Sequence, residues 1–405
     1  MFTYYEKNET AKPIKIWLPD QSAIEAGCLD QARAIVNLPF VFKWLALMPD
    51  THLGAGMPIG GVLATENTIV PYAVGMDIGC GMCYIQTDIH ESEIPKNFIK
   101  SIVNETLATV PVGKARHKEP QQSAVLDMAI AQHKHYELLP NGIELIENAY
   151  YQVGTLGGGN HFIEYQRDEN GYIGIMLHSG SRHLGAQICQ NFQKIAVALN
   201  KQWYSNTPDK NPLAFLPTNS PEGIAYIKWM NLALDYAFEN RETMLEASMA
   251  IVTKHAKKKL GRTPEFIDRI NCHHNYASLE HHYGKNVWVH RKGATRARKG
   301  ELGIIPGAMG ATSYLVRGLG NPESFHSSSH GAGRNFSRTR AKENFPMDEV
   351  LQDLSANNIT IGKKNLLDVA EESRFAYKNI DEVMQNQTEL VEPIKTLTTL
   401  GVVKG

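Results

Sequence analysis

Cysteine is scarce and odd in number: Cys28, Cys80, Cys83, Cys189 and Cys272 are scattered over 405 residues. Such a set speaks against a disulfide framework and for a reducing compartment, so a cytoplasmic location is expected. Long apolar runs are missing too. The longest, Phe40 to Met48, is broken by Lys43 and falls well short of the roughly 18 residues that suggest a membrane span. The opening residues Met1-Phe2-Thr3-Tyr4-Tyr5-Glu6-Lys7 hold no apolar stretch of the kind a secretory signal needs. Net charge is almost nil, 41 Lys and Arg against 42 Asp and Glu, so any nucleic acid must be met by a local basic patch and not by bulk charge. There is no internal repeat, low-complexity tract or linker, and no Walker A lysine pattern follows any glycine-rich loop.

What is present reads as an ordinary globular chain, 42% hydrophobic and 20% charged. Apolar spacing predicts a strand at 14–18 and a helix over 24–38. From Trp44 to Ile85, short apolar runs at 45–48, 60–64, 69–74 and 82–85 predict buried strands, with Asp50 to Gly56 and Gly75 to Met82 as functional loops between them. Helices are expected over 94–110, 122–135, 182–204 and 225–260, the last interrupted near Glu239 to Arg241. Strands are expected over 162–165, 172–177 and 286–290, with strand and glycine turn alternating over 303–317. From Pro346 onward the chain reads as mostly helical and polar. Chemistry-bearing segments run from Asp50 to Arg334 without a composition break. The expectation is therefore an α+β fold, a single large mixed domain over 1–405 with central β-sheets flanked by helices.

The loop Gly75-Met76-Asp77-Ile78-Gly79-Cys80-Gly81-Met82 sets a carboxylate and a thiol among glycines, which a core would not select. Taken singly, Asp77 reads as a turn former and Cys80 as a small packed hydrophobe. Together they invite a different reading, because polar histidine segments recur downstream: Gly157-Gly158-Gly159-Asn160-His161, His178-Ser179-Gly180-Ser181-Arg182, His273-His274-Asn275 and Ser329-His330-Gly331-Ala332-Gly333-Arg334. An Asp, a Cys and several imidazoles converging would hold two divalent cations. Cys80 and Cys83 form a Cys-x-x-Cys pair with no second pair to match, which favours Cys80 as ligand and Cys83 as packing. His273 and His274 compete for one role, and spacing does not choose. His117, His133, His135, His255, His281 and His282 lie in polar or helical surroundings and are assigned none.

The loops 156–160, 307–310 and 330–333 offer backbone N–H groups to oxyanions. His290 to Lys299 is the densest basic segment, joined in character by Arg334, Arg338 and Arg340; small residues inside it favour close approach to phosphate over a merely solvated face. His330, between serines and glycines and near an arginine, suits a nucleophilic imidazole attacking phosphorus; the plain alternative is an exposed histidine in a serine loop.

In order along the chain, these segments resemble the RtcB family of RNA-splicing ligases. The motifs that carry the likeness are Met48-Pro49-Asp50, Pro58-Ile59-Gly60-Gly61, Asp77-Ile78-Gly79-Cys80-Gly81, Gly159-Asn160-His161-Phe162-Ile163-Glu164, His178-Ser179-Gly180-Ser181-Arg182, His274-Asn275, His290-Arg291-Lys292-Gly293-Ala294-Thr295, Ile305-Pro306-Gly307, Ser329-His330-Gly331-Ala332-Gly333-Arg334 and Gly401-Val402-Val403-Lys404-Gly405. The resemblance implies an RtcB-like fold and a GTP- and Mn²⁺-dependent ligase joining an RNA 3′-phosphate or 2′,3′-cyclic phosphate to a 5′-hydroxyl, in tRNA splicing or RNA repair. It implies that Asp77, Cys80, His161, His178 and His274 bind two manganese ions, that His330 becomes guanylylated, and that Asn160, Glu164, Ser313, Tyr377 and Lys404, with the Gly331-Ala332-Gly333 backbone, hold the guanylate. RNA, including tRNA, GTP and an activating protein are the partners it suggests, with no membrane and no need for DNA. Ala308 stands where the family usually has serine, His183 where it usually has glycine, and Cys83 is an additional thiol. Two rivals remain on residues alone: a dinuclear phosphoesterase, which needs no covalent histidine, and an RNA-binding protein with a vestigial site.

Overall fold

The strand Gly81–His90 is buried along nearly its whole length, which requires a sheet covered on both faces. The computed structural model, which describes residues 1–132, 136, 138–205 and 213–405, supplies one. An eight-stranded mixed sheet runs in the order Phe266–His273, Gly81–His90, Tyr172–Ser179, Phe162–Asp168, Val391–Lys404, Ser313–Gly318 and Leu302–Ile305, with Thr360–Gly362 added in parallel to Val391–Lys404. Successive residues serve opposite faces, as a pleated strand dictates. Cys83, Ile85, Ile163, Leu177 and Val403 pack with Met244, Leu245 and Val252 of the helix Pro221–Leu260 and with Ile102 and Val103 of Phe98–Thr109. Met82, Tyr84, Met176, Leu315 and Val402 pack the other way, against Val350 and Leu354 of the helix Met347–Ala356.

A second, six-stranded sheet is ordered Phe2–Tyr4, Ile14–Ile16, Val41–His52, Ile59–Thr65, Lys285–Lys292 and Asn275–His282. The chain passes from one sheet to the other at His274, between Phe266–His273 and Asn275–His282. Register then does the positioning. Met82 pairs with His178, Phe162 pairs with His178, and His273 pairs with Gly81. Cys80, His161, His178 and His274 therefore come to the same end of neighbouring strands, beside the seam between the sheets.

The architecture is the expected α+β mixture, with local differences. Residues 69–74 are not one strand: Thr68–Ile69 is a short strand and Pro71 opens the helix Pro71–Val74, where its fixed φ and missing N–H suit the first turn. Pro221–Leu260 runs unbroken for 40 residues; its polar residues Asn240 and Arg241 are a buried face turned toward the site loops and not a break. The chain end is not mostly helical, because Val391–Lys404 is a 14-residue strand in the larger sheet, with Val391, Thr399, Val402 and Val403 buried between neighbours. Asp50 belongs to the end of Val41–His52 and not to a loop. The expected helix over 122–135 is observed as Ala124–Ala131, and His133 and His135 lie outside the described residues. Among the described residues no helix is long and apolar enough to cross a membrane.

Candidate active site

The loop before Gly81–His90 is tied down by its backbone. Gly79 N–H donates to Asn275 O at 2.8 Å, His274 N–H to Cys80 O at 2.8 Å, and Asn275 Nδ2 to Asp77 O at 3.1 Å. From the long helix, Arg241 Nη1 donates to Gly79 O at 2.7 Å and to Ser179 O at 3.1 Å, and Asn240 Nδ2 donates to Gly180 O at 3.1 Å. Gly180 is required by contact: a Cβ there would lie 2.3 Å from Asp77 Oδ1.

So held, the loop brings Asp77 and Cys80 onto three imidazoles. Cys80 Sγ lies 3.2 Å from His178 Nε2 and 3.4 Å from His161 Nε2. His161 Nε2 is 3.1 Å from Asp77 Oδ2, and His178 Nε2 is 3.2 Å from His274 Nε2. The tautomer of His178 follows from its opposite ring edge. His178 Nδ1 faces Asn160 O at 3.0 Å; a carbonyl only accepts, so Nδ1 carries the proton and Nε2 presents a lone pair, while His161 Nδ1 lies between Leu156 O at 2.9 Å and Arg182 Nη1 at 3.2 Å. Burial, reinforced by the neighbouring histidines, holds His178 and His274 well below the ordinary imidazole pKa and so neutral. Burial, then the Asp77 charge, pushes the Cys80 thiol well above its usual value. A carboxylate, a sulfur and imidazole lone pairs thus meet in one buried spot; Cys80, His161 and His178 alone place their ligand atoms within 4.8 Å of one another. Acceptors crowded in this way fit a divalent cation, which would also deprotonate the thiol. The geometry separates the two histidines that spacing left open: His274 enters the cluster, whereas His273 Nδ1 turns to Gly79 O at 3.1 Å and Arg241 Nη2 at 3.1 Å. Cys83 packs in the sheet core.

His330 stands against this cluster, its ring 4.8 Å from that of His274. Asp50, fully buried, fixes it: Asp50 Oδ2 lies 2.6 Å from His330 Nδ1 and accepts from the backbone N–H of His330 at 3.1 Å and of Gly331 at 3.3 Å. The proton therefore sits on Nδ1 and leaves Nε2 free. Gly333 has a φ of +72°, and a Cβ there would lie 2.2 Å from Asp50 O, so the turn that carries His330 needs glycine.

A cleft opens in front of His330, lined among others by Asn160, Glu164, Ala308, Gly331, Ala332, Gly333, Tyr377 and Lys404. Burial pushes Glu164 up to about 7, although Thr399 Oγ1 at 3.0 Å and Gln166 Nε2 at 2.7 Å both donate to it. Ser313 sits one layer behind the wall, accepting from Gly307 N–H at 3.1 Å. At the back is Glu372, which no motif or spacing marks in the sequence: it lies in the short turn Val369–Glu372. Its Oε2 accepts from Tyr377 OH at 2.5 Å and from Lys404 Nζ at 3.5 Å, and Arg334 Nη1 reaches Oε1 at 3.3 Å. Burial opposes the charge on Glu372, but Lys404, Tyr377 and Arg334 override it and hold its carboxyl low; burial in turn lowers Lys404. The Arg334 guanidinium also lies 4.7 Å over the Tyr377 ring.

The basic segment is not one phosphate-facing patch. His290, Arg291 and Lys292 are buried in the strand Lys285–Lys292. Arg291 is bound to buried Glu280 and to Ser327 Oγ at 2.8 Å, so its charge is satisfied internally.

A family model described as tRNA-splicing ligase RtcB matches residues 31–405. The chain is 38% identical to the RNA-splicing ligase RtcB of Escherichia coli K12 over 97% of both chains. It is 32% identical to the tRNA-splicing ligase RtcB of Thermococcus kodakarensis, covering 93% of this chain and 91% of that one, and 30% identical to the RNA-splicing ligase RtcB of Mycobacterium bovis, covering 93% and 100%. With a match of that extent, the chain belongs to the RtcB family of tRNA-splicing ligases.

Proposed function

We propose that the protein is a GTP- and Mn²⁺-dependent RNA ligase joining a 3′-phosphate or 2′,3′-cyclic phosphate end to a 5′-hydroxyl end through a guanylylated His330. The observation that carries this reading is the Asp50–His330 pair: with Nδ1 held at 2.6 Å by a buried carboxylate, Nε2 is an oriented nucleophile at the mouth of the cleft. Asp77, Cys80, His161, His178 and His274 would hold manganese, which, when bound, offsets negative charge developing on phosphoryl oxygens. Neighbouring imidazoles and sulfur suit such an ion, with zinc and other divalent metals competing for the same donors.

In this scheme Asn160 and the Gly331-Ala332-Gly333 backbone orient the phosphate, Tyr377 and Arg334 flank the nucleotide, and Glu164 and Lys404 read the guanine edge. Ser313 acts by shaping the Gly307 turn, through its 3.1 Å bond. His330 Nε2 attacks the α-phosphorus as the bond to pyrophosphate breaks. The guanylate then passes to the RNA 3′-phosphate, freeing the imidazole and turning a poor electrophile into an activated diester. The 5′-hydroxyl finally displaces GMP as the phosphodiester forms. tRNA splicing or RNA repair in the cytoplasm is the setting this chemistry serves.

Incubation with α-labelled GTP and Mn²⁺ tests the reading. The expected result is a covalent, acid-labile adduct that disappears in His330→Ala; absence of any adduct on the unaltered protein with Mn²⁺ or another divalent metal refutes it and returns the site to a metal-dependent phosphoesterase.

A further inference from the structure

Residues 112–118, Val112-Gly113-Lys114-Ala115-Arg116-His117-Lys118, form a basic loop with no part in the scheme above. Lys114, Arg116 and Lys118 are exposed. Most arginines on this surface are neutralised: Arg167, Arg262, Arg269, Arg296 and Arg374 each lie within 4 Å of a carboxylate. Among the described residues none of the three loop cations has such a partner; Glu119, next in the chain, is the nearest acid in sequence. Unpaired lysines elsewhere, such as Lys257 and Lys258 near the end of the long helix, are a solvated face.

What distinguishes the loop is where it is fastened. Gly113 N–H donates to Gly157 O at 2.8 Å and Leu156 N–H to Pro111 O at 2.9 Å, and the carbonyl of Leu156 is the one that orients His161. The loop is therefore fastened to the segment that leads into His161, and Gly113 also lies against Gly405, next to Lys404. The loop also carries an aromatic partner. His117 N–H donates to Tyr151 O at 2.9 Å, and the Arg116 guanidinium lies 5.7 Å from the Tyr151 ring. Exposed His183, at the family's usual glycine position, joins the same rim through its N–H to Gln152 Oε1 at 3.1 Å.

We propose that this rim, residues 112–118 with Tyr151 and His183, is the docking surface for a single RNA strand on its way to the site. Cations that follow a backbone, with an aromatic face beside them on which a base stacks, are the recognition chemistry of single-stranded nucleic acid. The inference rests on the ligase reading for the identity of its occupant, and on the loop for its place.

The test is fluorescence anisotropy with a fluorescein-labelled single-stranded RNA ending in a 3′-phosphate, at several salt concentrations. Each phosphate neutralised on a single strand contributes about 0.7 to the slope of log affinity against log salt. The combined exchange Lys114→Ala, Arg116→Ala and Lys118→Ala is expected to lower that slope by about 2 and to weaken binding at moderate salt about tenfold, while the GTP adduct forms as in the unaltered protein. The pair Lys257→Ala and Lys258→Ala is expected to leave the slope unchanged. Should the triple variant lose the adduct through misfolding, the single exchange Lys118→Glu carries the same test, with a slope lower by about 1. An unchanged slope in the loop variants, or an equal fall in the helix pair, overturns the proposal. Failure of the ligase reading is seen separately, as RNA binding by an unaltered protein that forms no adduct.

Discussion

Asp50 offers a graded prediction, because its carboxylate does two separable things to His330. It fixes the proton on Nδ1 through the 2.6 Å contact, and it supplies a negative charge where the imidazole turns cationic on attacking phosphorus. In Asp50→Asn the backbone N–H groups of His330 and Gly331, at 3.1 and 3.3 Å, keep an oxygen in the position of Oδ2. The tautomer then survives and only the charge is lost. A hydrogen bond to a charged group stabilises by about 1.5–3 kcal/mol against about 0.5–1.5 for a neutral one, so the amide should slow adduct formation about tenfold. Asp50→Ala loses orientation as well and leaves two N–H groups buried without an acceptor; loss of tautomer control in a comparable acid–histidine–nucleophile array costs about 10⁴-fold. The assay is single-turnover transfer from labelled GTP, with urea unfolding run alongside to confirm the fold. An alanine variant within tenfold of the unaltered rate, or an asparagine variant slower than the alanine one, would refute the orienting role.

Glu372→Gln strips the anion from Lys404 and Arg334; breaking a buried ion pair from one side costs about 3–5 kcal/mol, to be read as a lower urea midpoint and a higher KM for GTP. Because the folded carboxyl of Glu372 is depressed, the stability it gives is complete above its ordinary value of 4.5 and is lost as pH falls through the folded value. Glu164 has the opposite sign: with its pKa raised from 4.5 to about 7, the folded state binds the extra proton, and stability drops as pH rises across that window. As an acceptor for guanine it must be ionised, so the KM for GTP should fall as pH rises through about 7, and a profile no flatter in Glu164→Gln would exclude the role. Gly180→Ala places a Cβ 2.3 Å from Asp77 Oδ1 and should lower Mn²⁺ content and adduct together; normal metal content would show that Asp77 is not held as described.

How much of this was legible in the sequence depended on whether a residue's job is local. Asp77, Cys80, His161, His178 and His274 stood out because glycines and polar neighbours mark strand ends, and antiparallel register then carried them to one place. His330 stood out for the same reason. Glu372 and the orienting role of Asp50 were not legible: each acts on a group tens or hundreds of positions away, and neither sits in a spacing that chemistry alone requires. Arg241 and Asn240 read as a helix break because polar residues in mid-helix usually face water, whereas here they bond the site loops from beneath. The final strand was misjudged because its first half alternates exposed polar residues, and only its place between Phe162–Asp168 and Ser313–Gly318 makes it central. The first three residues of the basic segment, His290 to Lys292, proved to be the buried end of a strand, since Arg291 finds Glu280 from the adjacent strand.

The most direct test of the account is the metal content of the purified protein equilibrated with Mn²⁺ and freed of excess, measured beside Cys80→Ala. Two ions per chain in the unaltered protein, and fewer in the variant together with loss of the GTP adduct, is the predicted result. Equal metal in both proteins, or none in either, would contradict the claim that the buried thiol and its imidazoles form the cation site on which His330 depends.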